Sequence, residues 1–270
     1  MKLPRKNISL QGFRAYSDWI LTKKIITIMA LSSITKKLIM SISGLFLIVF
    51  LLLHMTINFF SVIDTFAGTY GAADGLFAKG CEFMALPIVT IMVPVLAAGF
   101  LVHIAYAMIL TYGNMKARGG YSRYASGSKG KAESWASKNM FVLGIIVFGI
   151  LAFHLNHFWA DMQLKEFMGD HAEDPYLLLN ETFKHWWMVL IYLVWFGALG
   201  FHLTHGFWSA FQTVGLSNSI WEKRLTWIGY IVVAIIVLGF SIVAINGYCQ
   251  ANGFIPECLK AAAPCCCGHC

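Results

Sequence analysis

Five long apolar runs constrain this chain more than any other feature, and they occupy residues 37–63, 83–112, 139–159, 185–211 and 221–248. About 20 predominantly apolar residues cross a hydrocarbon layer roughly 30 Å thick, and each run is that long. Inside such a layer every backbone N–H and C=O must be paired within its own segment, which leaves the α-helix as the structure of each run. The expected fold class is therefore all-α, an integral membrane bundle of five transmembrane helices. With 58% hydrophobic and 12% charged residues over 270 positions, no stretch reads as a soluble catalytic domain. If the chain takes part in an enzyme, chemistry on soluble substrates belongs to a partner.

Three regions follow from the runs: an arm at 1–36, the five-helix domain at 37–248 and a Cys-rich tail at 249–270. The apolar stretch 25–34 is too short to cross a membrane and lies too far into the chain for a secretory signal. It reads as an N-terminal interfacial helix on the cytoplasmic face. The formal net charge of +7 is a topology signal rather than a sign of nucleic-acid binding. The arm and the loops after spans two and four carry sixteen Lys/Arg against three Asp/Glu, whereas the opposite side carries four against ten. Basic residues stay on the cytoplasmic side, which puts the N-terminus inside and the C-terminus outside a bacterial cytoplasmic (inner) membrane. The basic face suits anionic lipid headgroups or a cytoplasmic partner.

Four of the five spans carry a histidine in their second half: His54, His103, His154 and His202. An ionisable group at that depth is costly unless something satisfies it, so each marks a functional position. Counting about 1.5 Å per residue, His54 lies roughly 25 Å and His154 roughly 24 Å from the basic side, whereas His103 lies roughly 15 Å from it. Two levels result, each fed by two helices, and they are expected to differ in depth by roughly 5–10 Å. Paired imidazoles from different helices are what a bis-histidine haem needs. Depth alone does not choose between His202 and His205 on the fourth span. His157 and His205, three residues beyond their neighbours, point about 60° round the helix and suit supporting or interfacial roles. Gly99, one turn before His103, and Gly206, one turn after His202, leave room for a flat macrocycle.

The stretch His202-Leu-Thr-His-Gly206-Phe-Trp208 resembles the fourth-ligand motif of the dihaem cytochrome b membrane-anchor subunit of succinate dehydrogenase/fumarate reductase. The likeness extends through SSITKKLIMSISGLFL before LLLHMTINFF, GFLVHIAYAMILTYGNMKAR, and SWASKNM leading to AFHLNHFW, covering roughly residues 30–248. It selects His202 as the ligand. It implies two b haems, an outer one on His54 and His154 and an inner one on His103 and His202. It further implies a flavoprotein and an iron–sulfur subunit on the cytoplasmic face, electron transfer to a membrane quinone such as menaquinone, and a possible dimer of the whole complex. By family position Ser41 and Trp135 are candidate haem propionate contacts, and Asp64, Asp74 and Glu82 are the acids available near an outer quinone site. Two family features are missing: Gly200 stands where some members have a glutamate, and Gln212 and Thr213 stand where a basic residue would meet a propionate.

Two other readings compete. One is a haem b subunit of a formate dehydrogenase or hydrogenase. The other is a proton-coupled transporter using its histidines as relays, which expects inverted internal repeats that this sequence does not display. The tail, with Cys258, PCCCGHC at 264–270 and His269, matches no metal or disulfide framework neatly and reads as a disordered segment.

Overall fold

The structure, a computed structural model, describes residues 32–117, 139–216 and 218–254. The expected interfacial helix up to residue 31, the loop around Trp135 and the Cys-rich tail beyond residue 254 lie outside the described residues, while residues 249–251 continue the last helix. Among those residues the chain is entirely helical, and five of its helices are long and apolar enough to cross a membrane. In chain order the helices are α1 (Ser33–Ala67), α2 (Leu76–Ala85), α3 (Pro87–Ala117), α4 (Met140–His154), α5 (Pro175–Phe183), α6 (Trp186–Thr213) and α7 (Ser219–Ala251), of which α2 and α5 are too short to cross. Beyond His154, α4 continues as a π-helical segment (Leu155–Leu164) and a final turn (Lys165–Phe167).

Local chemistry sets the ends. Ser32 caps α1, its side chain accepting from the Thr35 amide at 3.1 Å, and Gly68 closes the helix in the left-handed region at φ 73°. Proline disfavours helical backbone in the residue before it, so Leu86 turns extended at ψ 141° and Pro87 opens a new helix. The second span consequently begins at Pro87 and not at residue 83, and the stretch before it forms the separate helix α2. Asp174 caps α5, accepting from the Leu177 amide, with Pro175 in the first turn. Asn218 caps α7. The spans outrun the apolar runs because capped helices continue into the polar rim.

The core is a three-helix wall in which α1, α6 and α7 pack on one another, with α3 resting against α1 and α4 against α6. Small residues permit the approach. A Cβ at Gly200 would lie 3.0 Å from Val237 Cγ2, and one at Gly239 would collide with Met55 Sδ. Between helices in lipid, where apolar burial supplies little drive, such close contacts and interhelical hydrogen bonds carry the packing. At Gly200 the space a side chain would take is filled by Val237 and Val233 of α7.

One end of the bundle holds Lys36, Lys37, Lys116, Lys223 and Arg224; the other holds Asp64, Asp161, Glu166, Glu173 and Glu181. At this acidic end Asp64 is fully buried in α1. Its carboxylate accepts from Thr69 Oγ1, the Leu76 amide and the Phe77 amide, each at 2.8 Å, and from the Tyr176 hydroxyl at 2.6 Å. The two amides are unpaired donors of the first turn of α2, so a distant side chain supplies that helix with its cap. Burial raises the Tyr176 hydroxyl above the ordinary phenol range, and donation to Asp64 raises it further. Burial also pushes the nearby Cys81 thiol up to about 12. The next residue, Thr65, bonds Asn246 of α7 at 3.0 Å, and Gln250 donates to the Thr65 hydroxyl at 2.9 Å.

Candidate functional site

The four histidines of the spans meet in two pairs. The rings of His54 on α1 and His154 at the end of α4 stand 5.9 Å apart by centroid, with planes 81° apart. Those of His103 on α3 and His202 on α6 stand 6.3 Å apart at 67°. Neither pair belongs to helices that pack extensively on each other: α1 leans on α3, α6 and α7, and α4 on α6. Each pair therefore reaches across a gap between helices. Two imidazoles bound on opposite sides of one metal, each nitrogen about 2.0 Å from it, would have ring centres roughly 6 Å apart.

The levels are well separated. His103 lies against Gly44 of α1, where a Cβ would come within 3.3 Å of its Cε1, ten residues before His54. His202 lies against Gly144 of α4, where a Cβ would come within 3.7 Å of its Cε1, again ten residues before His154. Ten residues of helix rise about 15 Å, more than the 5–10 Å expected from the sequence. Depths counted from hydropathy edges compress the interval because each helix overruns its apolar run by a different length.

The polar surroundings differ from ring to ring. Ser43 Oγ lies 3.3 Å from His103 Nδ1. The Asn58 amide nitrogen donates to the His54 carbonyl at 2.8 Å and stands 3.5 Å from His54 Nδ1. His154 Nδ1 and His202 Nδ1 are buried with no hydrogen-bond partner, and so are the Tyr192 hydroxyl and Trp195 Nε1. Tyr192 and Trp195 sit one turn apart on α6 with ring centroids 6.2 and 5.6 Å from His154. A buried donor or acceptor without a partner costs about 1–3 kcal/mol, so four of them around two imidazole pairs mark a place where a further group would be satisfied. Phe50 stacks on His54 at 5.4 Å and Phe240 borders it at 5.6 Å, leaving apolar walls between polar points.

The remaining expected residues scatter. His202 faces His103, whereas His205 forms no hydrogen bond or ring stack among the described residues. His157 lies in the π-helical segment, donates Nδ1–H to the Phe153 carbonyl at 2.9 Å and packs on the Phe153 ring at 4.1 Å. π-Helical turns recur at functional sites because they re-aim side chains, and this one starts directly after His154. At Gly99 the space of a side chain is taken by Phe46, whose Cε1 would lie 2.8 Å from a Cβ; at Gly206 the neighbour is Met140 Cε at 3.7 Å. Ser41 is buried on α1, and Trp135 lies outside the described residues. Asp64, expected in a loop, is helical and spent on its four donors. Asp74 lies between α1 and α2, and Glu82 is on α2; both are exposed.

Sequence reasoning missed Ser43, Gly44, Gly144, Tyr192 and Trp195. Gly44 and Gly144 were legible as a recurrence, glycine ten residues before histidine on both histidine-bearing helices that run from the basic to the acidic end. The other three needed the packing. Compared with protein-family models, curated proteins and solved structures, the chain matches none.

Proposed function

We propose that the chain is the dihaem cytochrome b anchor of a membrane-bound succinate:quinone oxidoreductase. The observation that carries this reading is the pair of imidazole pairs, four rings from four helices meeting two by two at about the spacing of two axial ligands on one iron. Each pair offers two protein ligands, and among the described residues no third His, Cys, Asp or Glu joins either. Two imidazoles meeting in this way would suit a haem, which takes two protein ligands. His54 and His154 would hold one haem and His103 and His202 the other, and a bound haem supplies reversible one-electron transfer.

The protein's own part is positioning. The helices would hold the two sites about 15 Å apart along α1 and α4, and Phe50 and Phe240, with Phe196 stacked on Phe240, form an apolar wall beside His54. The basic end, by the positive-inside rule, faces the bacterial cytoplasm, where an iron–sulfur and a flavoprotein subunit would dock. Electrons would run between that end and menaquinone or another quinone toward the acidic end.

Haem stoichiometry tests this reading directly. The purified wild-type chain should bind two haems with a reduced-minus-oxidised b-type spectrum. His54→Ala and His154→Ala should each lose the same haem, and His103→Ala and His202→Ala the other. His157→Ala and His205→Ala should keep both. A colourless wild-type protein would refute the proposal, and co-purification of a hydrogenase or formate dehydrogenase large subunit would redirect it.

A further inference from the structure

We infer that Ser43 is a positioning residue for the inner site: together with the Met40 carbonyl it holds the His103 proton on Nδ1 and so decides which ring nitrogen faces the metal. The inference rests on the haem reading above and concerns a side chain that reading does not use. A serine hydroxyl has one proton. The Met40 carbonyl one turn back can only accept; it faces both the Ser43 hydroxyl, at 3.0 Å, and the His103 ring, so toward His103, at 3.3 Å, the Ser43 oxygen is the acceptor. His103 must then carry its proton on Nδ1, as an Nδ1–H donor to Ser43. Nε2 keeps its lone pair and is the nitrogen left to bind iron.

Two further observations fit. Gly44, the next residue, lets the His103 ring lie against the α1 backbone, and a side chain there would meet Cε1 and Nδ1 at 3.3 and 3.7 Å. Ser43 itself is buried, so water does not compete for the contact. The facing ligand, His202, has no partner on Nδ1. The inner site is thus asymmetric, with one imidazole made more basic by donating to a hydroxyl and the other not. A ligand imidazole that donates from its far nitrogen is a stronger electron donor and stabilises the oxidised metal.

The test uses the full complex in detergent, with redox titration and low-temperature EPR of the two haems in Ser43→Ala and in the matched pair Ser43→Thr and Ser43→Val. In Ser43→Ala one haem should shift to a more positive midpoint and bind roughly ten- to a hundredfold more weakly, while the other is unchanged. Ser43→Thr should retain the wild-type midpoint and EPR signal, and Ser43→Val, which differs from it by the hydroxyl alone, should not. The Thr–Val comparison decides the matter if Ser43→Ala fails to assemble. Identical midpoints and signals in Ser43→Thr and Ser43→Val overturn the inference, as does an unaltered Ser43→Ala. A wild-type chain without haem removes the underlying reading and this one together; two haems with an unresponsive Ser43 remove this one only.

Discussion

Replacing Asp64 by alanine separates a structural role from a quinone-binding one. The substitution removes an acceptor that serves four donors at 2.6–2.8 Å. The Phe77 amide and Tyr176 hydroxyl are left in buried surroundings, and each unsatisfied buried donor costs about 1–3 kcal/mol. The loss of the Leu76 contact adds to this, and relief of the carboxylate's own desolvation subtracts from it. A net loss of about 3–5 kcal/mol is expected, the upper range for one substitution, corresponding to a roughly 10²- to 5 × 10³-fold larger unfolded fraction. Asp64→Asn keeps one acceptor oxygen but turns an amide N–H toward the Phe77 amide, so about 2–3 kcal/mol is expected. The assay is reversible unfolding of the purified chain in mixed detergent and dodecyl sulfate, read by far-UV circular dichroism. The double substitution with Tyr176→Phe should be non-additive by more than about 0.5 kcal/mol, since the two side chains share a bond. If Asp64→Ala unfolds at the wild-type detergent fraction while quinone reduction collapses, the structural account is wrong and the residue belongs to a quinone site.

The packing supports three further expectations. Gly200→Leu should wedge α6 from α7, since even a Cβ there lies 3.0 Å from Val237; a loss of about 1–3 kcal/mol in the same assay should be partly restored by Val237→Ala. A thiol pushed up to about 12 by burial, as at Cys81, is overwhelmingly protonated at pH 8. Peptide-level mass spectrometry should find its alkylation about a thousandfold slower in the folded protein than in dodecyl sulfate, and the rate should climb as pH rises toward that value. Asn246→Leu, which breaks the bond to Thr65 between α7 and α1, should cost about 0.6–1.7 kcal/mol, the range measured for interhelical hydrogen bonds in lipid.

The two small helices at the acidic end show how a loop composition misleads. Residues 68–75 hold glycines and an aspartate and read as an open connection, yet α2 follows directly because Asp64, eleven residues before its cap Gly75, reaches over to its first turn. Helix α5 is signalled locally by Asp174 followed by Pro175, a start pattern placed inside an acidic loop. What holds either helix to the bundle is a contact with Tyr176 or Tyr70 across more than a hundred residues of chain.

Length and apolarity determined the five crossings, because an unpaired backbone in hydrocarbon leaves a run of that length no alternative to a helix. Alternating direction then placed His54 with His154 and His103 with His202, since α1 and α4 run one way, α3 and α6 the other, and helices of the same sense carry their histidines at equal depths. The motif resemblance chose His202 over His205, and the tertiary structure turns His202 to face His103, a matter of rotation of α6 that no count of residues contains. That structure also decided that ten-residue intervals separate the levels, that Ser43 rather than Ser41 touches a histidine, and that Asp64 is withdrawn from solvent. Depth along a helix axis is written in the order of residues. Rotation about that axis, and the partner met there, depend on how neighbouring helices interlock.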